Sequence, residues 1–161
     1  MAHRPMDTYL NDHVAGAMFG SDLAERLCTQ HKGTTLGDVM ATIAPMIEAD
    51  RQTLIDLMER MGTTENPVKQ ATTWMAENTS RVKFSGLTSG AADLGTLMAL
   101  ETLCLGVYGK LGLWRSLVEV VDQHAPLAAT DLHELIARAR SQHEALERER
   151  VAAGRRALRT G

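Results

Sequence analysis

Apolar residues recur along this chain at intervals of three and four, the spacing that gathers them on one face of an α-helix, and nowhere do they alternate as in a strand. The first predicted helix runs from about Pro5 to Gln30, with Leu10, Val14, Ala17, Ala24 and Cys28 on one face. Gly33 lies just beyond, where a left-handed residue can end a helix. The second opens at Thr35, whose hydroxyl can cap free backbone amides, with Asp38 three residues on to complete a capping box. Its stripe is Leu36, Val39, Ile43, Ile47, Leu54, Met58 and Met61, and Gly62 ends it. Pro45 removes one backbone hydrogen bond and is expected to kink it.

The stretch between Gly62 and Gly90 is too long for a hairpin loop and carries a helix signal of its own. Asn66-Pro67 reads as an N-cap followed by proline in the first turn, and Val68, Ala71, Met75 and Val82 continue a modest stripe to about Phe84. A helix of ~15 residues is ~22 Å long, enough to return the chain to the opposite end of a bundle. A third long helix, about Ala91 to Asp122, is apolar almost all round and is expected to be the most buried. The fourth starts near Thr130 and passes Leu146 into an Arg-rich end, with residues 152–161 expected to fray. Two long helices, a helical crossover and two more long helices predict an all-α, single-domain chain over 1–161: a ferritin-like four-helix bundle with a long helical crossover between helices 2 and 3.

The segments YLNDHVAGAMFG, IEADRQTLIDLMERMG and LETLCLGVYGKLGLWRSL resemble a group of ferritin-like actinobacterial proteins, and the resemblance covers nearly the whole chain. Ferritin-like di-iron proteins place a Glu on each of two helices and a Glu-x-x-His motif on each of the other two. This sequence departs from that pattern, because Glu48 is followed by Arg51 and Arg140 stands three residues before His143.

Composition adds limits. With 161 residues, 44% of them hydrophobic, the chain can bury one core. A net charge of -3 gives no global electrostatic case for nucleic acid or an anionic membrane. Cys28 and Cys104 lie far apart inside apolar patterns, which fits a reducing cytoplasm. The start, Met-Ala-His-Arg-Pro, has no apolar signal stretch, and Leu94 to Gly109 is interrupted by Glu101 and shorter than the ~18 to 20 residues of a membrane span. The expectation is a cytoplasmic protein without nucleic-acid or membrane partners.

Rotating ~100° per residue asks which ionisable side chains fall inside each apolar arc. His13 falls between Leu10 and Ala17, Asp50 beside Leu54, Leu57 and Ile43, and Glu101 with Leu94, Leu97, Met98, Leu105 and Tyr108. His143 aligns with Leu132, Ile136, Ala139 and Leu146, and Glu147 sits one turn on. Two imidazoles and three carboxylates on four helices are the types that ligate iron or manganese; no haem is expected, since the nine Met residues read as core fillers.

Each candidate has a structural alternative. Glu101 could pair with Arg51, Arg115 or Arg150, His143 and Glu147 could form an intrahelical pair, His13 could be a satisfied semi-buried histidine, and Asp50 could face a bundle edge. Gly16, Gly20, Gly106, Gly109 and Gly112 interrupt helices and point to close helix packing, or else to space for a small ligand between helices. Gly109-Lys110 lacks the rest of a phosphate loop. Leu103, Val107, Trp114, Leu117 and Val121, placed on the outer phase of the third helix, lead to the expectation of a homodimer. The functional expectation is a binding or structural bundle with an inward polar cluster, the alternative being a non-haem metal-dependent redox enzyme.

Overall fold

A computed structural model describes residues 5–63 and 89–159. Four long helices, α1 (Pro5–Gln30), α2 (Thr35–Arg60), α3 (Ser89–Val118) and α5 (Leu132–Ala157), pack as a bundle. A 3-10 turn (Val121–Gln123) and a single helical turn, α4 (Ala125–Ala128), link α3 to α5. The expected crossover helix, from about Pro67 to Phe84, lies outside the described residues.

Local chemistry sets most boundaries. Gly33 and Gly62 adopt φ values of 82° and 67°, the left-handed conformation that lets α1 and α2 end. The cap of α2 is Thr34, one residue earlier than expected: its hydroxyl accepts from the Gly37 amide at 3.2 Å and donates to the His31 carbonyl at 2.7 Å. Thr34 is the residue with extended backbone angles, which the cap position requires and which sequence spacing alone does not reveal. Helix α2 runs unbroken through Pro45, which stands on the exposed side. At the start of α5 the Asp131 carboxylate accepts from the Glu134 amide at 3.0 Å. Helix α5 continues past residue 152, where fraying was expected, to Ala157, with Ala153 buried and Ala157 packed on the core.

The core has two storeys. One joins Phe19, Leu23 and Leu27 of α1, Met40 and Ile43 of α2, Leu97, Leu100 and Leu103 of α3, and Leu146 and Ala153 of α5. The other joins Leu10 and Val14, Leu54 and Leu57, Leu113, Trp114 and Leu117, and Leu132, Leu135 and Ala139. In the first storey α1 and α5 contribute their C-terminal halves and α2 and α3 their N-terminal halves. Helices α2 and α3 therefore run parallel to each other and antiparallel to α1 and α5. The main pairs are α1 with α2 and α3 with α5; α1 with α3 and α2 with α5 close the square. Fully burying each large apolar side chain contributes roughly 1.5–3 kcal/mol, so these storeys dominate the stability.

Helix α3 corrects the rotational phase expected for it. Leu103, Val107, Trp114 and Leu117, expected on the outside, are 3% exposed or less and form the core. Leu105 and Tyr108, expected inside, are 65% and 58% exposed. Among the described residues α3 is also the helix long and apolar enough, by length and composition, to cross a membrane. Its neighbour α5 carries exposed Arg140, Glu144 and Arg148, so in this structure α3 is a bundle member with a charged companion.

Candidate functional site

Where the two storeys meet, Asp50 is buried at 1% exposure and held from two other helices. From α3, the Lys110 ammonium donates to Asp50 Oδ2 at 2.6 Å and to Gln142 Oε1 at 2.5 Å. From α5, the Gln142 amide donates to Asp50 Oδ2 at 2.9 Å, and the Arg138 guanidinium forms an ion pair with Oδ1 at 2.5 Å. That last contact is close but not aligned as a hydrogen bond, and Arg138 Nε has no hydrogen-bond partner among the described residues. Burial pushes the Lys110 pKa down, with the nearby Arg138 charge adding to the fall, and Asp50 opposes both through its charge and hydrogen bond.

The remaining candidates do not gather around Asp50. Glu101, expected inside, has a half-exposed side chain and meets Arg150 at 3.6 Å; its position follows from the rotation of α3 just described. Glu147 also pairs with Arg150, at 2.6 Å, and that hydrogen bond lowers its pKa. His143 lies one residue from the inward position, which Gln142 takes, and its ring stands 5.7 Å from that of Tyr108. His13, on α1, packs edge-on against Tyr9 with ring centroids 4.6 Å apart, and burial lowers its pKa. Among the described residues no group of three or more His, Cys, Asp or Glu is placed to hold a metal ion. Asp50 Oδ2 accepts from Lys110 and Gln142, and Oδ1 faces the Arg138 guanidinium without a hydrogen bond, so cations and an amide, not further metal-ligating side chains, surround this carboxylate.

Beside the cluster, α1, α2 and α3 line a partly open cavity of about 230 Å³. Phe19, Leu23, Ile47, Leu54, Leu103 and Leu113 supply its apolar wall, and Gly16, Gly20, Gly106 and Gly109 line it from α1 and α3. Gly20, Gly106, Gly109 and Gly112 do not mark close packing: a Cβ added at any of them would meet nothing within 4 Å. Polar groups enter the wall at Asp12, His13, Asp50, Arg51, Thr102 and Lys110. Trp114 also lines the cavity; it is fully buried, and its indole N–H has no hydrogen-bond partner among the described residues.

A wider, open groove of about 720 Å³ lies between α1 and α2, where Ser21, Glu48 and Arg51 serve one another. Ser21 donates to Glu48 at 2.5 Å, and Arg51 binds the same carboxylate, which holds the Glu48 pKa down at about 2. Cys104 is buried, and burial raises its thiol pKa to about 12, so it stays protonated and unreactive.

Sequence reasoning placed Asp50 inward and missed its partners. Lys110 lies in register with Leu103, Val107, Trp114 and Leu117, and Gln142 with Leu135, Ala139 and Leu146, so the helical repeat carried both. The inward place of Lys110 depends on the phase of α3, and Gln142 carries an amide, which neither titrates nor ligates metals strongly and so gives no chemical signal in the sequence. The fold and site together define a four-helix bundle centred on a buried aspartate ion-pair cluster. No protein-family model matches the chain, and neither a curated protein nor a solved structure matches it.

Proposed function

We propose that the protein is a ferritin-like bundle that has no carboxylate metal centre and binds a small molecule in the glycine-lined cavity between α1 and α3. The ferritin-like assignment is supported by the parallel run of α2 and α3 and by the neighbour order α1–α2–α5–α3. The carrying observation for binding is a cavity that glycines hold open beside a buried, unpartnered indole donor. Leaving a buried N–H unsatisfied costs ~1–3 kcal/mol, which a ligand acceptor would recover once a small turn of the indole brings that shielded N–H to the cavity wall. In the wall, Asp12 and Asp50 balance Arg51 and Lys110, which favours an uncharged guest.

The volume, about 230 Å³, lies below the ~300 Å³ at which drug-sized pockets begin. The guest is therefore a small, mostly apolar molecule with one hydrogen-bond acceptor, as in a cyclic ketone or a phenol. The Asp50 cluster is the rigid wall against which it sits, and the reading is of a binding protein rather than a catalyst.

Cyclohexanone and cyclohexane, followed by chemical-shift changes in amides of α1 and α3, provide the test. Expected is saturable binding of cyclohexanone, weaker binding of cyclohexane, and loss of both in Gly109→Leu, whose side chain would occupy the cavity. The Trp114→Phe variant should lose the preference for the ketone. Absence of saturable binding by either probe, or binding unchanged by Gly109→Leu, overturns the reading.

A further inference from the structure

Seen from outside, α3 presents a crest of positions 101, 105, 108, 112 and 115, spaced four, three, four and three as in a helix–helix contact. All five are exposed. The middle of the crest holds Leu105, Tyr108 and Gly112, with no charge among them, and the ends are Glu101 and Arg115. Leu105 and Tyr108 are among the most exposed large apolar side chains of the described residues, at 65% and 58%. Only 33% of the most apolar window of this helix is buried within the bundle.

The crest is self-complementary. Laid antiparallel on a second copy about a two-fold axis through Tyr108, it sets Tyr108 against Tyr108 once, and Leu105 against Gly112 and Glu101 against Arg115 twice each. A protruding Leu105 meets Gly112, where an added Cβ would find open space on this side of the helix. The opposite charges at the two ends then fix both direction and register, since a parallel pairing would place Glu101 on Glu101 and Arg115 on Arg115. A lone exposed apolar residue needs no explanation, but a charge-free stripe closed by complementary charges specifies its own partner.

We infer that two copies of this chain associate through the α3 crest in an isologous, antiparallel contact centred on Tyr108. The interface differs from the one the sequence suggested, whose residues Leu103, Val107, Trp114 and Leu117 are consumed by the core. Leu105 stands on the crest and also at the edge of the cavity, but the two readings are tested separately, since Glu101 and Arg115, which set the pairing, do not line the cavity.

Sedimentation equilibrium on the full chain tests it. The wild type should be a dimer at micromolar concentration. Glu101→Arg or Arg115→Glu alone, each creating two like-charge contacts across the interface (the former also setting a second guanidinium near Arg150 of its own chain), should weaken association at least ten-fold, and the double exchange should restore it. Both positions are exposed, so circular-dichroism melts should confirm that each variant stays folded. In a Cys28→Ala background, Tyr108→Cys should form an intermolecular disulfide under mild oxidation, since the axis brings that residue onto itself. A monomeric wild type, a dimer indifferent to both single exchanges, or a double exchange that fails to restore association overturns the proposal.

Discussion

At the scale of single residues, the contrast between Asp50 and Glu101 decides what the polar interior does. Asp50 compensates two cations from a fully buried position, whereas Glu101 touches one guanidinium from a half-exposed one. Removing one partner of a buried ion cluster typically costs ~3–5 kcal/mol, because the remaining charges stay desolvated. Asp50→Asn should lose about that much in denaturant melts, and Glu101→Gln should stay within the ~1 kcal/mol of an exposed pair. Equal losses in the two variants would contradict the assignment. Lys110 adds a pH signature. Its folded pKa is lowered, so the unfolded chain binds more protons, and stability contributed through this residue rises with pH up to the unfolded value near ~10.4. Lys110→Met should abolish that alkaline rise relative to wild type, as matched melts across the range would show.

Helix α3 shows at the scale of elements where legibility ended. Its existence follows from its apolar run, although it ends at Val118 rather than at the expected Asp122, yet a helix apolar nearly all round carries almost no phase information, since opposite faces look alike. Choosing the face with Leu105 and Tyr108 placed Glu101 inside and Lys110 outside, and one rotation reverses both. The amphipathic helices α1, α2 and α5 gave Leu10, Val14, Ile43, Leu54, Ile136 and Leu146 correctly as buried. Glycines carry a parallel lesson, because a helical glycine costs ~1 kcal/mol relative to alanine whatever surrounds it, and only the surroundings decide what a substitution does. Gly106→Ala and Gly109→Ala meet open space and should stabilise the protein by up to ~1 kcal/mol each. At Gly37 the same Cβ would collide with the His31 carbonyl, so Gly37→Ala should destabilise. Thermal melts of the three variants would show whether the signs divide this way.

For the molecule as a whole, the four long helices and their order were readable because caps and stripes are local, whereas the joining of distant helices by Asp50, Lys110, Arg138 and Gln142 was not, since pairing across the bundle leaves no mark at fixed spacing. That joining has a consequence for cooperativity. The bundle consists of two hairpin-like pairs, α1 with α2 and α3 with α5, which meet along two seams. The α1–α3 seam is hollowed by the cavity, and the α2–α5 seam contains the Asp50 contacts to Arg138 and Gln142. Removing the Asp50 charge should therefore loosen docking of the pairs more than it loosens either pair internally. Native-state hydrogen exchange should give core amides of all four long helices a common opening free energy in the wild type, and in Asp50→Asn two values, one for α1 with α2 and another for α3 with α5. If the variant's four helices still open together, the cluster contributes to stability without coupling the halves, and the cooperativity must reside in the apolar storeys alone.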